Sequence, residues 1–351
     1  MSTMHRRRFL QLAALSGAAL AAESALPIRI APARAQAALR VTHFGGPYGA
    51  LKDLVGAPFE QEKLGKVVYE TEQPAIILSK LQAQRDNPPW DVVMMVRAVA
   101  LRAGKAGLLA PLTPREIPAM SEVLPQAVLA GNLGVAMLLD SVDVMYDSTK
   151  VSPPITSWLD LWRPDLKGKI ALPAMPLAGY VTLTLLGVAR ALGGGERNVE
   201  DAFKKIKELK PSVRAFVTDP NQASQLMERS EILAAPQYSA RISNVMKANA
   251  HVARATPKEG VPAAPYDLCI TKGSPNQETA KRYINFVLSQ KVQESVASTI
   301  LVTPVNKSAR VTGPAQRLVM TDVSRLWFVD EEYVAANQKD WLDRWVREIQ
   351  S

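Results

Sequence analysis

Val41-Thr42-His43-Phe44-Gly45-Gly46-Pro47-Tyr48 reads as a β-strand that runs into a paired-glycine turn. The two glycines let the backbone bend and come close to another group, and Tyr48 adds a surface on which a ligand can stack. Outward from this stretch, β-rich runs recur at residues 66–71, 90–96, 135–139, 142–146, 169–172, 213–217, 231–235, 251–255 and 266–271. Helical patterns at 76–84, 181–192, 199–210, 221–229 and 240–248 lie between them. Strand–helix alternation of this kind predicts an α/β architecture with largely parallel sheets.

Some helix ends are readable in detail. Ser274-Pro275-Asn276-Gln277 places a capping serine before a proline at the first helical position. Ala280, Tyr283, Ile284, Val287 and Leu288 follow at helical spacing, which predicts one buried face. Asn198 is expected to cap the helix that Pro211 stops.

Composition narrows the class. The chain has 351 residues, 42 Lys+Arg against 33 Asp+Glu, 47% hydrophobic residues and 21% charged ones. That excludes a disordered chain and allows one large domain or two ordinary ones. A single cysteine, Cys269, excludes a disulfide framework and any multi-thiolate metal site. Within the apolar run Leu268-Cys269-Ile270 it reads as an inert core thiol.

Residues 1–35 read as an export signal. Arg6-Arg7-Arg8 forms its charged start, an apolar stretch follows from Phe9 to Ala22, and Ala33-Arg34-Ala35 supplies the small-x-small cleavage pattern. Arg6-Arg7-Arg8-Phe9-Leu10-Gln11 is similar to the twin-arginine motif, and an ordinary secretory signal is the alternative. Without residues 1–35 the chain keeps 37 basic and 32 acidic residues, so the formal +9 falls to +5. The densest basic run, Lys204-Lys205-Ile206-Lys207, shares its helix with Glu200, Asp201 and Glu208. It reads as a solvated face, and no nucleic-acid partner is expected. The exported protein is expected to be periplasmic, cleaved near Ala35, and monomeric.

Six segments, in order, carry a resemblance. Besides 41–48, they are Trp90-Asp91-Val92-Val93, Gly107-Leu108-Leu109-Ala110-Pro111-Leu112, Ser157-Trp158-Leu159-Asp160-Leu161-Trp162 with Leu166-Lys167-Gly168-Lys169-Ile170, Pro257-Lys258-Glu259-Gly260, and the helix at 280–288. The sequence resembles the type 2 periplasmic substrate-binding proteins of ABC importers, in the group that binds polyamines, thiamine, ferric iron and phosphonates. The resemblance implies two α/β lobes with a ligand cleft between them. Lobe one would take residues 36–139, lobe two 140–262, and 263–351 would return to lobe one with the C-terminal helices. Crossings would fall near 140–144 and 261–267. It also implies a permease and its ATPase as partners, a small solute as cargo, and no chemistry in this subunit.

Ligands of α/β sheets sit beyond the carboxyl ends of strands. That rule selects Gly45, Gly46 and Tyr48 after the first strand, and Arg97 at the end of the third, as a partner either for an anion or for a neighbouring acid. In lobe two it selects Tyr180 at a helix start, and Gln237, Tyr238 and Arg241 just after the strand at 231–235. Asp140, Ser141 and Asp143 lie at the first crossing, Tyr266 and Asp267 at the second. Polyamine members of the group carry a Trp-x-Asp before the strand that here includes Leu268-Cys269-Ile270. Alanine holds the tryptophan position, at Ala264, and the aspartate is replaced by Tyr266 or shifted to Asp267. A polyamine, thiamine or phosphonate-like solute therefore stays open.

An exported enzyme and a ligand-presenting sensor are the competing classes. The mature chain holds two histidines, His43 and His251, not spaced as metal ligands. It shows no G-x-S-x-G elbow, H-E-x-x-H helix or phosphate loop. No cofactor and no metal are expected.

Overall fold

The strand predicted at 39–44 forms as β1 (Leu39–His43) in the computed structural model, which describes residues 38–351. The export signal lies outside the described residues. β2 (Val67–Thr71) and β3 (Val92–Val96) flank β1 in parallel. Two long strands come next, β10 (Val261–Thr271) against β3 and β5 (Val135–Asp147) against β10, both antiparallel. β8 (Ala234–Tyr238), β6 (Ile170–Pro173) and β7 (Val213–Val217) complete the order β2-β1-β3-β10-β5-β8-β6-β7. β4 (Leu109–Ala110) and β11 (Leu326–Trp327) pair with β10, and β9 (Val252–Ala255) pairs with β5.

β5 and β10 are buried at every position, as expected of central strands covered on both faces. The sequence predicts two strands in place of β5, broken at Asp140-Ser141. The strand continues because both polar side chains find partners, within β5 and at the start of α7. Asp140 Oδ1 accepts from the Ser141 amide, the Ser239 hydroxyl and the Ala240 amide. Ser141 Oγ donates to Asp143. β10 likewise accommodates Pro265, opposite Leu139, beside an irregularity in register between Tyr266 and Asp267.

α1 (Ala57–Gln61), α2 (Pro74–Ala83), α3 (Arg97–Lys105), α8 (Gln277–Leu288) and α9 (Gln290–Val296) surround the β1–β3 half. α4 (Ala178–Ala191), α5 (Glu200–Leu209), α6 (Pro220–Glu228) and α7 (Ser239–Ala248) surround the β6–β8 half. α10 (Glu331–Trp345) packs on both α3 and α4, so the C-terminal segment is shared between the halves.

Ser274 Oγ accepts from the Asn276 amide at 3.0 Å, the bond expected of a capping serine, and donates to Asp91 Oδ1, while α8 itself starts at Gln277 behind Asn276. The cap predicted at Asn198 is not formed. α5 starts behind Val199, with Asn198 in a bridge to Gly195.

Two of the motifs named above dock on each other. Ser157 Oγ donates to Glu259 Oε1 at 2.6 Å, and Trp158 Nε1 donates to the Gly260 carbonyl at 3.1 Å. The Trp158 ring is fully buried under Gly187, where a Cβ would come within 2.5 Å of it. Only glycine fits there.

Candidate functional site

β1 ends in the turn that the glycines predict. Gly45 (φ 74°) and Gly46 (φ 55°) both take left-handed backbone, and the Tyr48 amide closes the turn on the Gly45 carbonyl at 3.1 Å. The turn buries Tyr48 and leaves Phe44 partly covered. Their rings meet Tyr266 of β10, with centroids 6.0 Å apart for Phe44–Tyr48, 5.2 Å for Phe44–Tyr266 and 5.5 Å for Tyr48–Tyr266. All three pairs are edge-to-face, a favoured aromatic geometry.

A second group comes from the β6–β8 half. Tyr180, in the first turn of α4, meets Tyr238, which ends β8, with ring centroids 5.0 Å apart and planes tilted by 40°. The Tyr180 hydroxyl donates to the Pro236 carbonyl. The Arg241 guanidinium lies 5.5 Å from the Tyr238 ring centre. Its Nε reaches Asn221 Oδ1 at 3.4 Å, and no carboxylate among the described residues forms an ion pair with it.

Electrostatics join the two groups. Burial, above all, raises the phenol pKa of Tyr48, Tyr238 and Tyr266. The charge of Asp140 raises each further, and Arg241 opposes it in all three. One acid and one base therefore act on the same three phenols. Asp140 Oδ2 is buried with no hydrogen-bond partner, although its sister oxygen is fully used. Tyr48 Oη, beside Tyr266, also lacks a hydrogen bond of acceptable geometry. Buried polar atoms without partners cost ~1–3 kcal/mol each, so these two leave hydrogen-bonding capacity unused where the two aromatic groups meet Arg241.

Several predicted site residues lie elsewhere. Arg97 opens α3 and spends its guanidinium on Asp267 and on the Gln126 and Ala127 carbonyls, so it is not free for an anion. Asp267 is consumed by the same pair. Asp143 accepts from Ser141 and lies 3.5 Å from Arg254, and burial pushes its pKa up to about 6. Gln237 is fully buried because β8 runs to Tyr238, three residues beyond the predicted strand end. Its amide bonds the Pro220 carbonyl and the Tyr238 amide. Phe44 is the member that sequence reasoning missed; the signal was an aromatic directly before two glycines.

Two surface hollows, about 320 Å³ around Thr303 and Arg310 and about 570 Å³ around Leu54 and Phe286, share no lining residue with these clusters. No helix among the described residues is long and apolar enough to cross a membrane.

Known proteins are similar to this chain. The gamma-aminobutyric acid-binding protein of Pseudomonas aeruginosa is 28% identical over 288 residues, covering 79% of this chain and 80% of that protein. The spermidine/putrescine-binding periplasmic protein of Escherichia coli is 26% identical over 260 residues, covering 72% and 74%. The crystal structure of an ABC transporter from Clostridium perfringens superposes with a TM-score of 0.76 at 27% identity, covering 89% of this chain and 99% of that one. That likeness carries the two-lobed α/β fold of periplasmic binding proteins expected from the sequence. A family model for bacterial extracellular solute-binding proteins matches residues 55–319, most of the chain, and to that family the protein belongs.

Proposed function

We propose that the protein is the solute-binding subunit of an ABC importer, and that its solute is a small zwitterion with one ammonium and one anionic group. The observation that carries this reading is the unpartnered Asp140 Oδ2, buried near three tyrosines within reach of Arg241. An ammonium pairs with that carboxylate and lies against aromatic faces, as cation–π attraction favours. Arg241 takes the anionic end as a charge-assisted donor. Gamma-aminobutyrate, named for the Pseudomonas relative, has this chemistry, and so does an aminophosphonate.

A polyamine needs further carboxylates. The other two carboxylates expected at the crossings, Asp143 and Asp267, are engaged by Arg254 and Arg97. A nucleophilic role for Cys269 has no support, since the thiol is fully buried and burial raises its pKa well above the usual range.

In this reading lobe one (36–139, continued by the later return) carries Tyr48, and lobe two (140–262) carries Tyr238 and Arg241. A solute touching both favours the closed state, because only differential affinity shifts such an equilibrium. The exported chain works in the periplasm as a monomer, and the permease with its ATPase receives the closed form. Residues 1–35 supply the twin-arginine-type address.

Thermal-shift and calorimetric titration with 4-aminobutyrate, 2-aminoethylphosphonate, thiamine and putrescine tests the reading. A ligand at 100 times its Kd stabilises the fold by about 2.7 kcal/mol. Stabilisation by the zwitterions is expected. Binding of putrescine alone would overturn the solute class, and conversion of any ligand would overturn the binding role.

A further inference from the structure

The Gly45 amide donates to a side chain of its own turn, His43 Nδ1, at 2.9 Å. A side-chain acceptor taking the amide two residues on is the geometry of an Asx-turn, with an imidazole nitrogen in place of the asparagine oxygen. The ring is held for this task. It is buried, it meets Tyr69 of β2 edge-on at 6.0 Å, and the His43 carbonyl accepts from the Glu72 amide at 2.9 Å. Around it, Tyr69 hydrogen-bonds Tyr283 of α8 and lies near Glu60 of α1, while the Glu72 carboxylate is spent on Lys80.

We propose that His43 is a positioning residue for the solute site, whose unprotonated Nδ1 latches the Gly45–Gly46 turn and so sets the Phe44 and Tyr48 rings against Tyr266. A protonated imidazole has N–H groups at both nitrogens and cannot accept, so the latch works only with the neutral ring and a proton on Nε2. Burial lowers the His43 pKa below its ordinary 6.5. The latch is therefore closed at neutral pH and opens as pH falls through that lowered value. The consequence for affinity rests on the solute-binding reading; the latch itself does not.

Nitrogen NMR of the histidine ring and amide exchange of Gly45 to Tyr48 test the latch without ligand. The expected results are an Nε2–H tautomer at pH 7.5, and exchange protection of the Gly45 amide that is kept in His43→Asn and lost in His43→Phe. His43→Asn supplies a non-titrating acceptor, so its protection also persists at acid pH where the wild type loses it. An Nδ1–H tautomer, or equal protection in all three proteins, would overturn the latch. Affinity for 4-aminobutyrate is expected to fall about 3- to 10-fold in His43→Phe, the effect of one neutral hydrogen bond, and to be kept in His43→Asn. A loosened turn in His43→Phe with affinity unchanged would overturn the positioning role, whereas a loosened turn with no 4-aminobutyrate binding in any of the proteins would keep the latch and sink the solute reading instead.

Discussion

Arg97 and Asp267 form a two-pronged ion pair, Nη2 to Oδ1 at 2.8 Å and Nε to Oδ2 at 3.1 Å, between the first residue of α3 and the middle of β10. Asp267 is fully buried and the Arg97 side chain is only 10% exposed. Burial pushes the Asp267 pKa up, and Arg97 draws it back. The pair fixes a helix of the β1–β3 half to a strand shared by both halves, next to the irregularity that presents Tyr266.

Breaking one side of such a pair leaves a buried charge uncompensated, at a typical cost of ~3–5 kcal/mol. Asp267→Ala is expected to lower the urea midpoint accordingly. The double change Arg97→Met with Asp267→Leu should recover most of the loss, since apolar replacement of both partners is often near neutral. An unchanged midpoint in Asp267→Ala would show that the pair holds nothing together.

Arg241→Gln separates binding from folding. Its guanidinium has one long hydrogen bond, to Asn221, and a ring contact with Tyr238, so the fold loses little with it. A charge-assisted contact to the anionic end of a solute is worth ~1.5–3 kcal/mol, or about 10- to 150-fold in Kd. Calorimetry with 4-aminobutyrate should show that loss with Tm nearly constant. Unaltered affinity would remove Arg241 from the site.

The turn at Gly45-Gly46-Pro47-Tyr48 was readable because glycine and proline punctuate a chain whatever lies around them. Asp140 was harder. A polar pair in an apolar run looks like a break, and what keeps β5 continuous there is Ser239, 99 residues further on. Arg97 was misplaced for the same reason, as the acid that claims it lies 170 residues away. Pro236 looks like the end of a strand, yet it pairs with Val144 inside β8 and carries Gln237 into the core with it. Local pattern reaches the elements; the partners of buried polar groups are a property of the packed sheet.

Glu331, in the first turn of α10, has its pKa pushed up to about 7 by burial, with Asp267, Asp330 and Glu196 adding and Arg97 opposing. Its folded pKa exceeds the ordinary 4.5, so the folded state holds a proton that the unfolded chain has already lost. Stability is therefore lost as pH rises from about 4.5 through about 7. Glu331→Gln never ionises. It should match the wild type at pH 4.5 and exceed it by ~1–2 kcal/mol at pH 8, a figure reduced for partial exposure. Asp143 slopes the same way in both proteins, so the difference between the two curves isolates Glu331. Parallel curves would place the carboxylate in water.

Trp345 shows how far the C-terminal helix belongs to the β6–β8 half. Its ring is fully buried and Nε1 donates to the Pro173 carbonyl at the end of β6, at 3.2 Å. Two turns earlier, Gln338 bonds Thr182 of α4, and the adjacent Arg344 pairs with Glu200 of α5 over the Phe203 ring. The exposed Arg344–Glu200 pair adds little by itself, whereas the indole supplies buried area. Trp345→Ala is expected to cost ~3–5 kcal/mol, and Trp345→Phe less, since most of the volume stays and one hydrogen bond goes. Urea unfolding followed with and without 4-aminobutyrate distinguishes two consequences. A helix that only thickens the fold leaves the ligand-induced gain unchanged in both variants. A helix that also bridges α3 and α4 during closure gives a smaller gain in Trp345→Ala than in the wild type, and the contacts of α10 with both helices favour that second result.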